Sequence, residues 1–318
     1  MTADVRHLSN RLAIDGGTPI RSTPLPWELP GAYYIDEEEK RLVNQVIDAR
    51  SPFRFYGLDA QGMVDRLESE WCSTFGHKHA LGVNSGSAAL HIALAAFGVG
   101  PGDEVLVPGY MWVSCMSAIV RTGAIPRLVD IDGSFCMDPV DLERKIGPRS
   151  KAVLIVNMSG VMGRNDRIAE ICRKHKLRLL EDCAQAIGAS LKGRSAGSYG
   201  DIGIYSFQLN KNMTSGEGGL LVTEDEDLYK RCVALHDLGY ARNAEAGSIR
   251  RTNAISIGVS AAACPSFREP WRSPRCGRCG RLRPRCGKRN GRFARPSRIF
   301  PASACVRSTI RPEIPARS

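Results

Sequence analysis

The stretch KAVLIVNMSGVMGRNDRIAEICRKHKLRLLED, Lys151 to Asp182, decides the fold. It opens on the apolar run KAVLIVN (151–157) and closes on another, LRLLED (177–182). Runs of this length without polar alternation fit strands buried on both faces. Between them DRIAEICRKHK (166–176) carries an apolar face at helical spacing and a basic end, which suits the negative end of a helix dipole. Strand, helix, strand in this order is the unit of a parallel sheet.

Outward from this unit the alternation continues from about Tyr56 to Leu238. HALGV (79–83), DEVLVP (103–108), IPRLVDI (125–131), IGIYSF (202–207) and GLLVT (219–223) read as further buried strands, and SAALHIALAAFGVG (87–100) as a helix apolar all round with a glycine stop. Seven strands with helical crossovers predict an α/β fold with a mostly parallel sheet covered on both faces. Residues 1–55 read as an amino-terminal arm, its Pro- and Gly-rich part GGTPIRSTPLPWELPG crossing the surface before a helix in DEEEKRLVNQVIDAR. Residues 56–258 then form one large domain, with no internal repeat.

The 318-residue chain has a net charge of +11, but the charge is not spread along it. From Val259 to Ser318 there are 15 Lys and Arg against 2 Asp and Glu, whereas residues 1–258 hold 29 against 31. Basicity therefore belongs to the tail and gives the large domain no nucleic-acid footprint. No stretch reaches the ~20 apolar residues of a membrane span, and the start MTADVRHLSNRLAIDGG lacks a secretory pattern. The expectation is a cytoplasmic protein with no membrane partner, and the six cysteines before residue 259 read as buried reduced thiols.

In an open α/β sheet, ligands bind where strands end and helices begin. After HALGV comes NSGSAAL, where Ser87 and Ala88 open a helix and fit either a phosphate cradle or an ordinary capped turn. After DEVLVP come Tyr110 and Trp112, aromatics suited to a planar ring or to a core or subunit contact. LRLLED delivers Asp182 and then Gln185; a carboxylate there needs a cationic or hydrogen-bonding partner, or serves as a helix cap. Last, Lys211 in SFQLNKNMTSGEGG follows a buried strand and Ser206, a setting that makes an amine both accessible and partly desolvated. Glu217 in the same stretch reads as structural. A planar ring with a phosphate, a basic ring nitrogen and an aldehyde satisfies all four places at once, and pyridoxal phosphate is such a ligand. No metal site is expected among these residues.

NSGSAALHIAL, GPGDEVLVP, LLEDCAQAIGA and YSFQLNKNMTSGEGG, in this order, resemble the DegT/DnrJ/EryC1/StrS family of pyridoxal-phosphate-dependent aminotransferases over roughly Asp36 to Asn243. The resemblance implies the aspartate-aminotransferase fold, fold type I, and a homodimer with its active sites at the subunit interface. It implies that Lys211 is the Schiff-base lysine and that Asp182 holds the ring nitrogen protonated. Trp112 then stacks on the ring, Gln185 packs at its other face, and Ser87, Ala88 and Ser206 bind phosphate. The implied reaction moves nitrogen from glutamate or glutamine to a keto sugar or keto cyclitol. Relatives that are sugar dehydratases carry histidine where Lys211 stands, so Lys211 points to transamination. Gln208 and Thr214 resemble the branch that acts on inososes and aminohydroxybenzoate precursors, while Asn157 departs from the histidine of many members at a position that bears on substrate.

After Gly258 the pattern stops, and the Arg-, Pro- and Cys-rich tail has no period able to bury a core. Relatives continue with a motif resembling GxxxRMSELQxAVA and a small domain. GVSAAACPSFREPW (258–271), written in permitted codons and read two bases on, yields GVGCRMSELQGAV. A shifted reading frame from near Ala254 to Gly258 onward is the expectation, with 259–318 disordered and the small domain missing or replaced. As alternatives, the tail is a basic nucleic-acid arm, or holds zinc on Cys264, Cys276, Cys279 and Cys286, where only one CxxC pair occurs.

Overall fold

In a computed structural model, which describes residues 12–21, 23 and 29–239, all seven apolar runs form strands of one sheet. In chain order the elements are α1 (Glu37–Asp48), α2 (Met63–Phe75), β1 (His79–Val83), α3 (Gly86–Ala96), β2 (Glu104–Pro108) and α4 (Val113–Arg121). They continue with β3 (Ile125–Val129), α5 (Pro139–Lys145), β4 (Ser150–Val156), α6 (Asn165–His175), β5 (Arg178–Asp182), β6 (Ser190–Leu191), β7 (Arg194–Ser195), β8 (Ile202–Ser206), β9 (Gly219–Thr223) and α7 (Glu226–His236). The expectations for the tail after Gly258 lie outside the described residues. No described helix is long and apolar enough to cross a membrane.

Strand order is β1-β9-β8-β5-β4-β2-β3. The pairs from β8 to β3 are parallel, and β9 is antiparallel to both β8 and β1. The reversal has a simple cause: Phe207–Gly218 forms no crossover helix, so β8 and β9 pair as a hairpin. That connection carries Lys211. A second hairpin, β6–β7, turns through Lys192 and Gly193, both at positive φ as a tight two-residue turn requires.

Side chains along each buried strand divide by alternation. In β4, Ala152, Leu154 and Val156 pack with Leu90, Leu94 and Ile119 on the face covered by α3, α4 and α7. Val153 and Ile155 point the other way, to Leu142, Ile168 and Ile171 of α5 and α6. The far end of that second face is closed by Trp71 of α2, whose ring meets Tyr205 edge-on at 4.6 Å between centroids. Continuous apolar runs thus report a two-sided core.

Local chemistry starts the helices. Asp36 accepts from the Glu38 N–H and Glu39 reaches back to the Asp36 N–H, both at 2.8 Å, so α1 opens on a capping box. Helix α6 ends on Arg173, Lys174 and His175, the expected basic terminus.

Asp141 in α5 is buried, accepts from the Asp130 N–H at 2.8 Å, and pairs with Lys145 at 2.8 Å and with Arg144. The Asp130 N–H and then Lys145 hold its pKa down from 3.8 to about 2. A depressed carboxylate pKa stabilises the fold above the unfolded value, and that stabilisation is lost as pH falls toward the folded value. Chemical denaturation of wild type and Asp141→Asn is expected to differ most at neutral pH, the gap closing between pH 3.8 and about 2. A gap independent of pH would remove this role.

Candidate active site

The carboxyl ends of the parallel strands open on one cavity of about 330 Å³. Its wall includes Ser87, Trp112, Asp182, Gln185, Ser206 and Lys211, which the chain brings from four separate stretches. Ala88, also expected to bind phosphate, does not line the cavity, and its N–H is engaged at 3.1 Å by Ser85 Oγ, the N-cap of α3. Ser85 and Gly86 stand at the wall instead, with Ser114 and Asn210. Glu217, read from the sequence as structural, also lines it.

Close packing sets the height of α3. A Cβ on Gly219 would lie 2.5 Å from the Ser85 carbonyl carbon and 2.6 Å from the Gly86 nitrogen. Glycine at β9's first position thus lets the amino terminus of α3 sit directly on the sheet. The first N–H groups of a helix have no intrahelical acceptor, and they open here beside the Ser87 and Ser206 hydroxyls. This end of the cavity suits an anion.

Asp182 ends β5 and is 4 % exposed. One carboxylate oxygen accepts from the Ala184 N–H at 3.0 Å and the other from the Cys115 thiol at 3.1 Å. Burial pushes the Asp182 pKa up, against these two donors and the more distant Lys211 charge. Cys115 is itself buried, and burial followed by the Asp182 charge pushes its pKa upward, so the thiol keeps the proton it donates. The hydrogen-bond donors to Asp182 are neutral and the Lys211 charge does not offset its burial, so a cation brought into the cavity would stabilise the carboxylate.

Trp112 is the N-cap residue of α4 and is 62 % exposed at the cavity edge. Cys115 lies in the first turn of the same helix, so α4 sets both the aromatic and the carboxylate's donor. Gln185 Oε1 accepts from the Ser159 N–H at 2.8 Å. Beside Gln185 and Lys211 a second recess of about 310 Å³ is lined by Ser159, Asn210 and Asn212.

Asn157, which sequence reasoning tied to substrate, is fully buried away from the cavity. It accepts from Asn165 at 2.8 Å and donates to Glu181 at 3.4 Å. Glu181 also accepts the N–H groups of Gly197, Tyr199 and Gly200, so Asn157 belongs to the support of β5. Gln208 lines the cavity, whereas Thr214 ties the loop to its base through the Phe207 carbonyl at 3.0 Å.

With this arrangement in place, sequence comparison decides the family: the profile of the DegT/DnrJ/EryC1/StrS aminotransferase family matches residues 34–261. The chain belongs to this family. Within the DegT/DnrJ/EryC1/StrS group it is 40% identical over 222 residues to the L-glutamine:2-deoxy-scyllo-inosose aminotransferase of Streptoalloteichus tenebrarius, covering 69% of this chain and 51% of that one. It is 35% identical over 235 residues to the GDP-perosamine synthase of Vibrio cholerae, covering 71% and 62%. Among solved structures, 3-amino-5-hydroxybenzoic acid synthase superposes with a TM-score of 0.62 at 34% identity, over 68% of this chain and 55% of that one. The chain spans about half the length of the curated relatives it matches.

Proposed function

We propose that this chain is a pyridoxal-phosphate-dependent aminotransferase that moves an amino group from glutamine or glutamate to a keto sugar or keto cyclitol, in amino-sugar, aminocyclitol or antibiotic biosynthesis. The observation that carries this reading is the convergence of buried Asp182 and Lys211 in one cavity beneath the amino terminus of α3. The residues fit the cofactor on three independent counts. Asp182 has only neutral hydrogen-bond donors and a protonated ring nitrogen would add a cation beside it, the α3 terminus with Ser87 and Ser206 offers donors to a phosphate, and the cavity volume suits a small cofactor.

Bound there, pyridoxal phosphate supplies a carbonyl that condenses with amines and a ring that accepts electrons. The protein's part follows from its own groups. Lys211 Nζ would hold the cofactor through that carbonyl and would serve as base toward the substrate Cα proton. The Asp182 carboxylate would favour a proton on the ring nitrogen. Trp112 and Gln185 would hold the ring and keep water from it.

The activities of the relatives support glutamine as donor and a keto cyclitol or keto sugar as acceptor. The neutral amide and hydroxyl groups of the second recess suit a hydroxylated acceptor. Homodimerisation and a cytoplasmic location complete the reading; the six described cysteines are all free, as a reducing compartment permits.

The departure from the family pattern after Gly258 favours a second reading, a chain that binds pyridoxal phosphate without turnover. One experiment addresses both. The purified chain is incubated with pyridoxal phosphate and then with glutamine. A borohydride-sensitive absorption band that glutamine discharges supports the aminotransferase; a band that glutamine leaves unchanged supports the second reading. No band at all refutes the cofactor assignment.

A further inference from the structure

We infer that Gly31 is a positioning residue for Lys211, and that the amino-terminal turn Gly31–Tyr34 sets where the lysine loop stands in the cavity. The inference rests on the role given to Lys211 above. The Gly31 N–H donates to the Lys211 carbonyl oxygen at 3.0 Å, while the Lys211 N–H donates to the Gln208 carbonyl at 2.9 Å. The lysine backbone is thereby held from both sides, once from within its own loop and once from the arm.

Burial of apolar surface does not account for the contact. Gly31 is the buried residue of its turn, whereas Tyr33 and Tyr34 are 64 % and 80 % exposed. The approach is too close for any other residue. A Cβ on Gly31 would lie 2.6 Å from the Lys211 carbonyl oxygen and 3.1 Å from the Asn212 carbonyl carbon. Both are backbone atoms, which cannot turn aside as a flexible side chain can. The arm expected to run over the surface is therefore anchored at this residue.

Other hydrogen bonds shape the loop from inside. Thr214 Oγ1 and the Ser215 N–H both donate to the Phe207 carbonyl at 3.0 Å, and the Asn210 N–H donates to Gln208 Oε1 at 3.0 Å. These bonds close the loop upon itself without fixing its tip against the rest of the molecule. The Gly31 bond supplies that fixed point. It matters because a lysine amine sits on a flexible four-carbon stem, so its backbone sets its reach. A misplacement of about 1 Å at a reacting group costs up to about 10²-fold in rate.

The test uses the full 318-residue chain. Gly31→Ala is expected to retain pyridoxal phosphate about tenfold more weakly, with a smaller borohydride-sensitive band. Amide exchange across residues 208–216 is expected to quicken while the thermal midpoint and far-ultraviolet spectrum stay unchanged. Gly133→Ala, where an added Cβ meets nothing within 4 Å, serves as a control expected to match wild type. In the wild-type chain the 29–35 segment should exchange slowly, and more slowly once pyridoxal phosphate is bound, because coupling between two sites is reciprocal.

The inference is overturned if Gly31→Ala matches wild type in loop exchange and cofactor retention. It is equally overturned if the 29–35 segment exchanges freely in wild type, a readout that holds even where the variant does not fold. A wild-type chain with a protected 29–35 segment and variant-sensitive loop exchange, but no cofactor band, supports the contact and refutes the role of Lys211.

Discussion

Lys211→Ala is expected to remove the borohydride-sensitive cofactor band and to lower the glutamine half-reaction by at least about 10³-fold, since a general base alone contributes 10²–10⁴. The substitution leaves the fold in place. Lys211 is partly exposed in a hairpin connection, and the hydrogen bonds that shape the loop there are made by its backbone N–H and carbonyl, which alanine keeps. Thermal unfolding is therefore expected to match wild type, while cofactor is held through Asp182, Trp112 and the α3 terminus alone. Added primary amines should recover a fraction of the half-reaction, because the cavity can admit a small base in the emptied space. A variant that keeps its band would assign the covalent role to another lysine.

Asp182→Asn separates charge from shape. The amide preserves size and keeps an oxygen for the Ala184 N–H, now at 3.0 Å from the carboxylate. What disappears is the negative charge facing the cavity. The half-reaction is expected to fall by roughly 10²–10³-fold, the loss typical of a preorganised electrostatic partner. Stability is expected to hold or rise, because burial already pushes the Asp182 pKa up and a neutral group sits more easily in that place. Loss of activity with gain of stability is the signature of a residue kept for function. Wild-type turnover in the variant would contradict the role, and collapse of the fold would make Asp182 structural.

The sheet was legible because buried parallel strands must be apolar on both faces, so KAVLIVN and LRLLED could not serve as surface strands. The site residues at strand ends were legible for a related reason. A lysine, a carboxylate and a tryptophan follow apolar runs at the strand ends where open α/β sheets commonly take ligands, and topology brings the three to one cavity.

What was not legible depends on contacts between distant segments. Nothing in GYMWVSCMSAIV says that Cys115 donates to Asp182, because that bond depends on how α4 packs beside β5. Asn157 stands out in the sequence only as a departure from the family's histidine, and its side chain turns to Glu181 and Asn165 beneath the strand. The antiparallel β9 follows from the connection between β8 and β9, whose polar, Gly-containing NKNMTSGEG (210–218) lacks the apolar period of a crossover helix, a signal present in the sequence. Gly31 gives no local sign at all, since its constraint is a backbone atom far along the chain.

The most direct test of the account is to reduce the chain with borohydride in the presence of pyridoxal phosphate and to map the modified peptide by mass spectrometry. The pyridoxyl group is expected on Lys211, in the peptide that spans IYSFQLNKNMTSGEGG. Label spread over surface lysines, or no label on Lys211, would contradict it.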